Sequence, residues 1–160
     1  MFKGLITTNN NPAIPFVRWA LAIVLFAHGA QKMLGWFGGY GFTGTMGFLT
    51  KTVGLPYIVG LLVIIVEFFG AIFILLGLIT RFWAFAIICL FIGIVATSHV
   101  QNGFFMNWGG TQKGEGFEYH ILMMGMALGL LINGAGKWSI DRTISFTRRQ
   151  QAERYQTHTT

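Results

Sequence analysis

Residues 57–79 read YIVGLLVIIVEFFGAIFILLGLI and are apolar throughout except for one carboxylate, Glu67. A hydrocarbon core takes about 20 apolar residues at about 1.5 Å rise, so this stretch predicts a membrane-spanning helix. Glu67 then lies near the bilayer midplane. An ionised carboxylate at that depth costs roughly 2.5–3.5 kcal/mol on insertion scales, so it needs a partner, a proton or water.

The rest of the chain agrees with a membrane fold. It is 54% hydrophobic and 10% charged, against about 25% charged residues in soluble domains. The fold class expected is all-α: an integral membrane four-helix bundle in one domain. The net charge of +6 fits basic loop residues facing anionic lipid. No basic stripe interleaved with polar residues argues for nucleic acid. The single cysteine, Cys89, rules out an intramolecular disulfide or a C-x-x-C relay and is expected to be buried and inert.

In order, residues 1–15 form a polar N-terminal tail, and residues 16–136 the membrane domain. Spans are expected at about 16–34, 57–79, 82–99 and 118–134, with residues 137–160 as a basic C-terminal tail. Residues 35–55 are too polar and glycine-rich to span; 43–53 reads as a short amphipathic helix, and Trp36, Phe37 and Tyr40 suit the headgroup level. Thr80 and Arg81 make a tight connection. A second aromatic, glycine-rich loop covers 100–117.

Four spans leave both termini on one side. That side collects Lys3, Arg18, Arg81, Lys137, Arg142, Arg148, Arg149 and Arg154, against Lys32, Lys51 and Lys113 on the other. The positive-inside rule makes the termini cytoplasmic. Arg18 and Arg81 are then explained as membrane anchors.

This topology turns scattered residues into a layer. His28, Gln31 and Lys32 share one face in the outer half of the first helix. The third helix brings His99 to its outer end, and the fourth starts there with Glu118. Glu67 lies roughly 15 Å below the outer end of the second helix. Glu118 and His120 are about 200° apart around their helix, so only one faces the centre; Glu118 is the expected one. A quinone or similar lipid fits such a layer, because it needs an apolar slot, an aromatic wall and one or two donors. His28, Lys32 or His99 supply the donors, and Glu67 a proton carrier. Histidines on facing helices also meet the minimum for axial haem ligation, but nothing else favours haem. The ligands are too dispersed for structural zinc. GGYGFTG lacks the Lys-Ser or Lys-Thr of a P-loop.

Three pieces in this order, RWALAIVLFAHGAQKMLG, VEFFGAIFILLGLITRFWA and GFEYHILMMGMALGLLINGAGKWSID, resemble the DoxX family of small four-helix membrane proteins. The resemblance runs from about Arg18 to Asp141. Arg18, His28, Gly29, Lys32, Glu67, Gly70, Arg81, Glu118 and Trp138 stand at the family's motif positions. It implies a four-helix bundle in the bacterial inner membrane and a link to quinone-dependent or oxidative-stress redox complexes. Because fold does not determine reaction, two readings follow. In the first, the chain is a membrane subunit of a quinone-linked oxidoreductase. Glu67 carries the catalytic proton, His28, Lys32, His99 and Glu118 bind the ligand, and a partner redox protein supplies electrons. Arg18, Arg81 and Trp138 are structural. In the alternative, the chain is a non-catalytic lipid or solute carrier or docking module, and Glu67 pairs with Lys32 or Arg18 to fix helix register. The glycine-rich faces also allow a homo-oligomer.

Overall fold

A computed structural model describes residues 2–147, with helices as the only regular elements among them. A short α1 (Phe2–Ile6) precedes α2 (Ile14–Leu34), whose early Pro15 has the fixed φ that suits a first turn. Gly35, at φ 76°, ends α2 in the left-handed conformation. The chain then folds back through α3 (Gly41–Gly47), which continues as a π turn over Phe48–Thr52. The expected amphipathic segment is therefore helical, though it begins earlier and changes pitch midway.

The apolar run forms α4 (Tyr57–Ile65), a π turn (Val66–Gly70) and α5 (Ala71–Leu76) as one column. The π turn contains Glu67. Such single-turn widenings recur at functional sites. The next helix, α6 (Thr80–Ile94), ends in another π turn (Val95–His99). The tight connection is thus Gly77 to Ile79, and Thr80 and Arg81 already belong to α6. α7 (Glu118–Asn133) is shorter. A last helix, α8, occupies residues 140–147; Arg148, Arg149 and Arg154 of the basic tail lie outside the described residues.

Ile14–Leu34, Tyr57–Leu76 and Thr80–Asn102 are long and apolar enough to cross a membrane, and Glu118–Asn133 is apolar but shorter. Three to four spans therefore follow from length and composition. The core joins Leu21, Ala22 and Leu25 of α2, Ala71 and Ile74 of α5, Ala84, Ile87 and Phe91 of α6, and Met123, Ala127 and Leu130 of α7. Lipid is as apolar as leucine, so association rests on close packing, and small residues permit it. Gly29 is the clearest case: a Cβ there would lie 2.6 Å from the backbone of Glu67 and Phe68. Cys89 is not in this core. The buried stripe of α6 is Thr80, Ala84, Ile87 and Phe91, which leaves Cys89 exposed on another face.

The first and last described segments meet at one end of the bundle. Asn9 Nδ2 donates to Asn133 Oδ1 at 3.0 Å, and Ser145 Oγ donates to the Ile6 carbonyl at 2.8 Å. The N-terminal segment is therefore no free tail. Arg18 is fully buried here rather than anchored at a surface. It donates to the carbonyls of Ile74, Leu75 and Trp138 at 3.4, 3.0 and 2.7 Å. Those at Ile74 and Leu75 are among the carbonyls a helix C-terminus leaves without an intrahelical partner, which is why a membrane arginine can be buried there. Asp141, also buried, accepts from the Ile79 and Thr80 amides at 2.8 and 2.9 Å. It holds Ile79 at φ 51°, a left-handed backbone costly for a β-branched residue. Arg81 joins the Thr7 and Ile132 carbonyls, and exposed Trp138 stacks on Trp19 with ring centroids 6.1 Å apart.

Candidate functional site

At the opposite end, where the two long loops lie, Lys32 and Glu67 form an ion pair. Lys32 Nζ stands 2.5 Å from Glu67 Oε2, while Glu67 is only 3% exposed. Two elements set this geometry. Gly29 brings the α2 backbone against the Glu67 turn, and Lys32, three residues later, lies on the same helical face. Of the two partners open to Glu67, Lys32 is the one used; Arg18 is spent on the carbonyls at the far end.

Lys32 has a second neighbour besides Glu67. It lines a pocket of about 240 Å³ with Gln31, Gly39, Tyr40, Thr45 and Phe48, between the end of α2 and the returning α3. Gly39 sits so close to α2 that a Cβ there would overlap the Gln31 backbone. The loop is thereby pressed onto the helix, with Gln31 Nε2 donating to the Phe37 carbonyl at 3.2 Å.

His28, one turn before Lys32, turns its ring towards Tyr119 at 5.9 Å between centroids. His99 reaches the layer from the end of α6, and its ring lies 4.3 Å from that of His120. His99 Nδ1 bonds the Glu115 carbonyl at 2.8 Å. A carbonyl only accepts, so Nδ1 carries the proton and Nε2 is left to accept.

His120, not Glu118, faces the bundle. The buried stripe of α7 is His120, Met123, Ala127 and Leu130, at helical spacings of three and four, and it rotates Glu118 away. Glu118 instead organises the loop: its Oε1 accepts from the Met106 amide and from Trp108 Nε1, each at 3.0 Å. Glu118 therefore points to the loop, whereas it was expected to face the bundle centre. The spacing of Met123, Ala127 and Leu130 carries the observed orientation, with His120 inward where Glu118 was expected. Tyr119 was also missed. Its hydroxyl and His120 Nδ1 are buried atoms with no hydrogen-bond partner among the described residues. Both stand beside other titratable side chains: the Tyr119 ring lies 5.9 Å from that of His28, and the His120 ring 4.3 Å from that of His99.

The DoxX profile matches residues 13–100, more than half of the chain. The chain belongs to the DoxX family. The matched stretch of this DoxX protein holds Arg18, His28, Gly29, Lys32, Glu67, Arg81 and His99; Glu118, Tyr119, His120, Trp138 and Asp141 lie beyond it. No curated protein and no solved structure matches the chain.

Among the described residues no group of three or more His, Cys, Asp or Glu side chains is arranged to hold a metal ion. The available chemistry is that of one buried carboxylate, one cation bridging it to a pocket, and imidazole and phenol groups with open hydrogen-bonding positions.

Proposed function

We propose that this DoxX protein is a membrane subunit of a quinone-linked oxidoreductase system in the bacterial inner membrane, with its termini on the cytoplasmic side. The observation that supports the reading is Lys32, which both pairs with buried Glu67 and lines a pocket. A quinone fits these residues: Phe48 and Tyr40 offer aromatic walls, Lys32 a donor for a ring carbonyl, and the pocket suits a head group more than a whole drug-sized ligand. When bound, the quinone supplies two-electron, two-proton redox chemistry, and its electrons come from a partner redox protein.

Within the chain, Lys32 orients the carbonyl through its ammonium. Glu67, ionised against Lys32 in the pair, takes up a proton when the charge beside Lys32 changes and releases it when the pair re-forms. His28 borders the layer as a second donor. Replacing Glu67 with Gln keeps the shape and removes the acid. The expected outcome is a folded protein with quinone turnover of the assembled system down by about 10²–10⁴-fold; unchanged turnover rejects the proton role.

The ion pair also supports the non-catalytic reading, in which it fixes the register of α2 against α4–α5. There, losing Glu67 destabilises the fold and losing both partners restores part of it. In the catalytic reading activity falls while stability largely holds.

A further inference from the structure

The pocket explains Lys32 and Glu67 but leaves Tyr119, His120 and His99 without a task. These three form a series. Tyr119 comes first, its ring 5.9 Å from that of His28, which stands one turn before Lys32, the partner of Glu67. Next comes His120, whose ring lies 5.2 Å from Tyr119 and 4.3 Å from His99. His99 ends the series half-buried, bonded to the loop carbonyl of Glu115. Phe91 packs on both Tyr119 and His120 from α6, at 6.2 and 5.5 Å, and closes the apolar side. His120 is 5% exposed, yet its Nδ1 bonds nothing among the described residues, and neither does the buried Tyr119 hydroxyl. An unmade hydrogen bond on a buried group is costly, and buried water is the usual remedy where several polar atoms converge.

We propose that Tyr119, His120 and His99, bridged by water, form a proton-transfer line between Glu67 and the loop end of the bundle. The proposal rests on the reading of Glu67 as a proton carrier. For outward transfer the Glu67 carboxyl gives its proton to the Tyr119 oxygen as the Tyr119 O–H proton leaves through water to His120 Nδ1. His120 releases its own Nε2 proton to Nε2 of His99, which passes it to solvent at the loop. Each group takes one proton and gives one, so the line returns to its starting charges once the rings and the hydroxyl reset. The charged and titratable groups around it are Lys32 and His28 from α2, Glu67 from the α4–α5 column, and Glu115 and Glu118 from the loop and the start of α7. The two loop carboxylates are held by the backbone amides of Asn107 and Met106, which leaves the imidazoles as the mobile sites.

The test needs neither quinone nor partner. The full chain is reconstituted in vesicles, and the infrared carboxyl band that disappears in Glu67→Gln is followed after a pH jump on the loop side. Tyr119→Phe, His120→Phe and His99→Gln are then compared with the parent. Tyr119→Phe removes one oxygen that bonds nothing, so it carries the test if a histidine variant fails to fold. The expected result is a band that follows pH in the parent and responds about a hundredfold more slowly in the variants. A parent rate retained in all folded variants overturns the line and leaves the role of Glu67 standing. A parent band that ignores loop-side pH overturns the proton role of Glu67 and the line with it.

Discussion

The two ends of the bundle treat buried charge differently. At the terminal end Arg18 makes three hydrogen bonds to backbone carbonyls, and Asp141 caps two amides of the α5–α6 turn. At the loop end Lys32 and Glu67 bond each other, Lys32 opens to a pocket, and Tyr119 and His120 keep buried polar atoms unpaired. Buried polar atoms without a partner among the described residues occur at both ends, Arg18 Nε and Thr80 Oγ1 at the first and the Tyr119 hydroxyl and His120 Nδ1 at the second. What differs is that the first end bonds its charges to fixed backbone, while the second pairs two side chains beside a pocket. The first end is a structural knot, the second a working layer.

The largest effect is expected at the knot. Asp141→Ala leaves the Ile79 and Thr80 amides without their acceptor. A buried donor left unpaired costs about 1–3 kcal/mol, and two are lost together, so the folded fraction in detergent, followed by fluorescence-detected size exclusion on heating, should collapse. A variant as stable as the parent would erase the contrast. Gly29→Leu comes next, because its side chain must displace the Glu67–Phe68 backbone. Overpacking costs about 1–3 kcal/mol, and separating α2 from the π turn should also break the Lys32–Glu67 pair, visible as a changed Glu67 infrared band. Glu67→Gln is third, with turnover lost and melting nearly unmoved; a melting loss as large as that of Asp141→Ala would make the pair part of a second knot. The smallest effect belongs to Tyr119→Phe, which should leave stability within about 0.5 kcal/mol as judged by the same melting curves.

Much of this was legible in the residues. The apolar runs predict α2, the α4–α5 column and α6, and the depth of Glu67 together with the His28–Lys32 face predicts where polar groups gather. The α5–α6 turn was less legible, because Ile79 adopts a left-handed backbone that only a distant Asp141 sustains. Arg18 looked like a surface anchor because its acceptors are carbonyls, which leave no mark on side-chain chemistry. The orientation of α7 was readable in the apolar spacing of Met123, Ala127 and Leu130, which puts His120 and not Glu118 on the buried face. The π turn at Glu67 lies against Gly29 of a distant helix and has no local signal.

The most direct test of the working layer is ligand retention. The parent and Lys32→Met are purified in nanodiscs containing a defined quinone, and their organic extracts are compared by mass spectrometry after lipid exchange. The account predicts stoichiometric quinone on the parent and its loss from Lys32→Met, with both proteins equally folded. Equal retention by the two, or only bulk phospholipid on the parent, would contradict it.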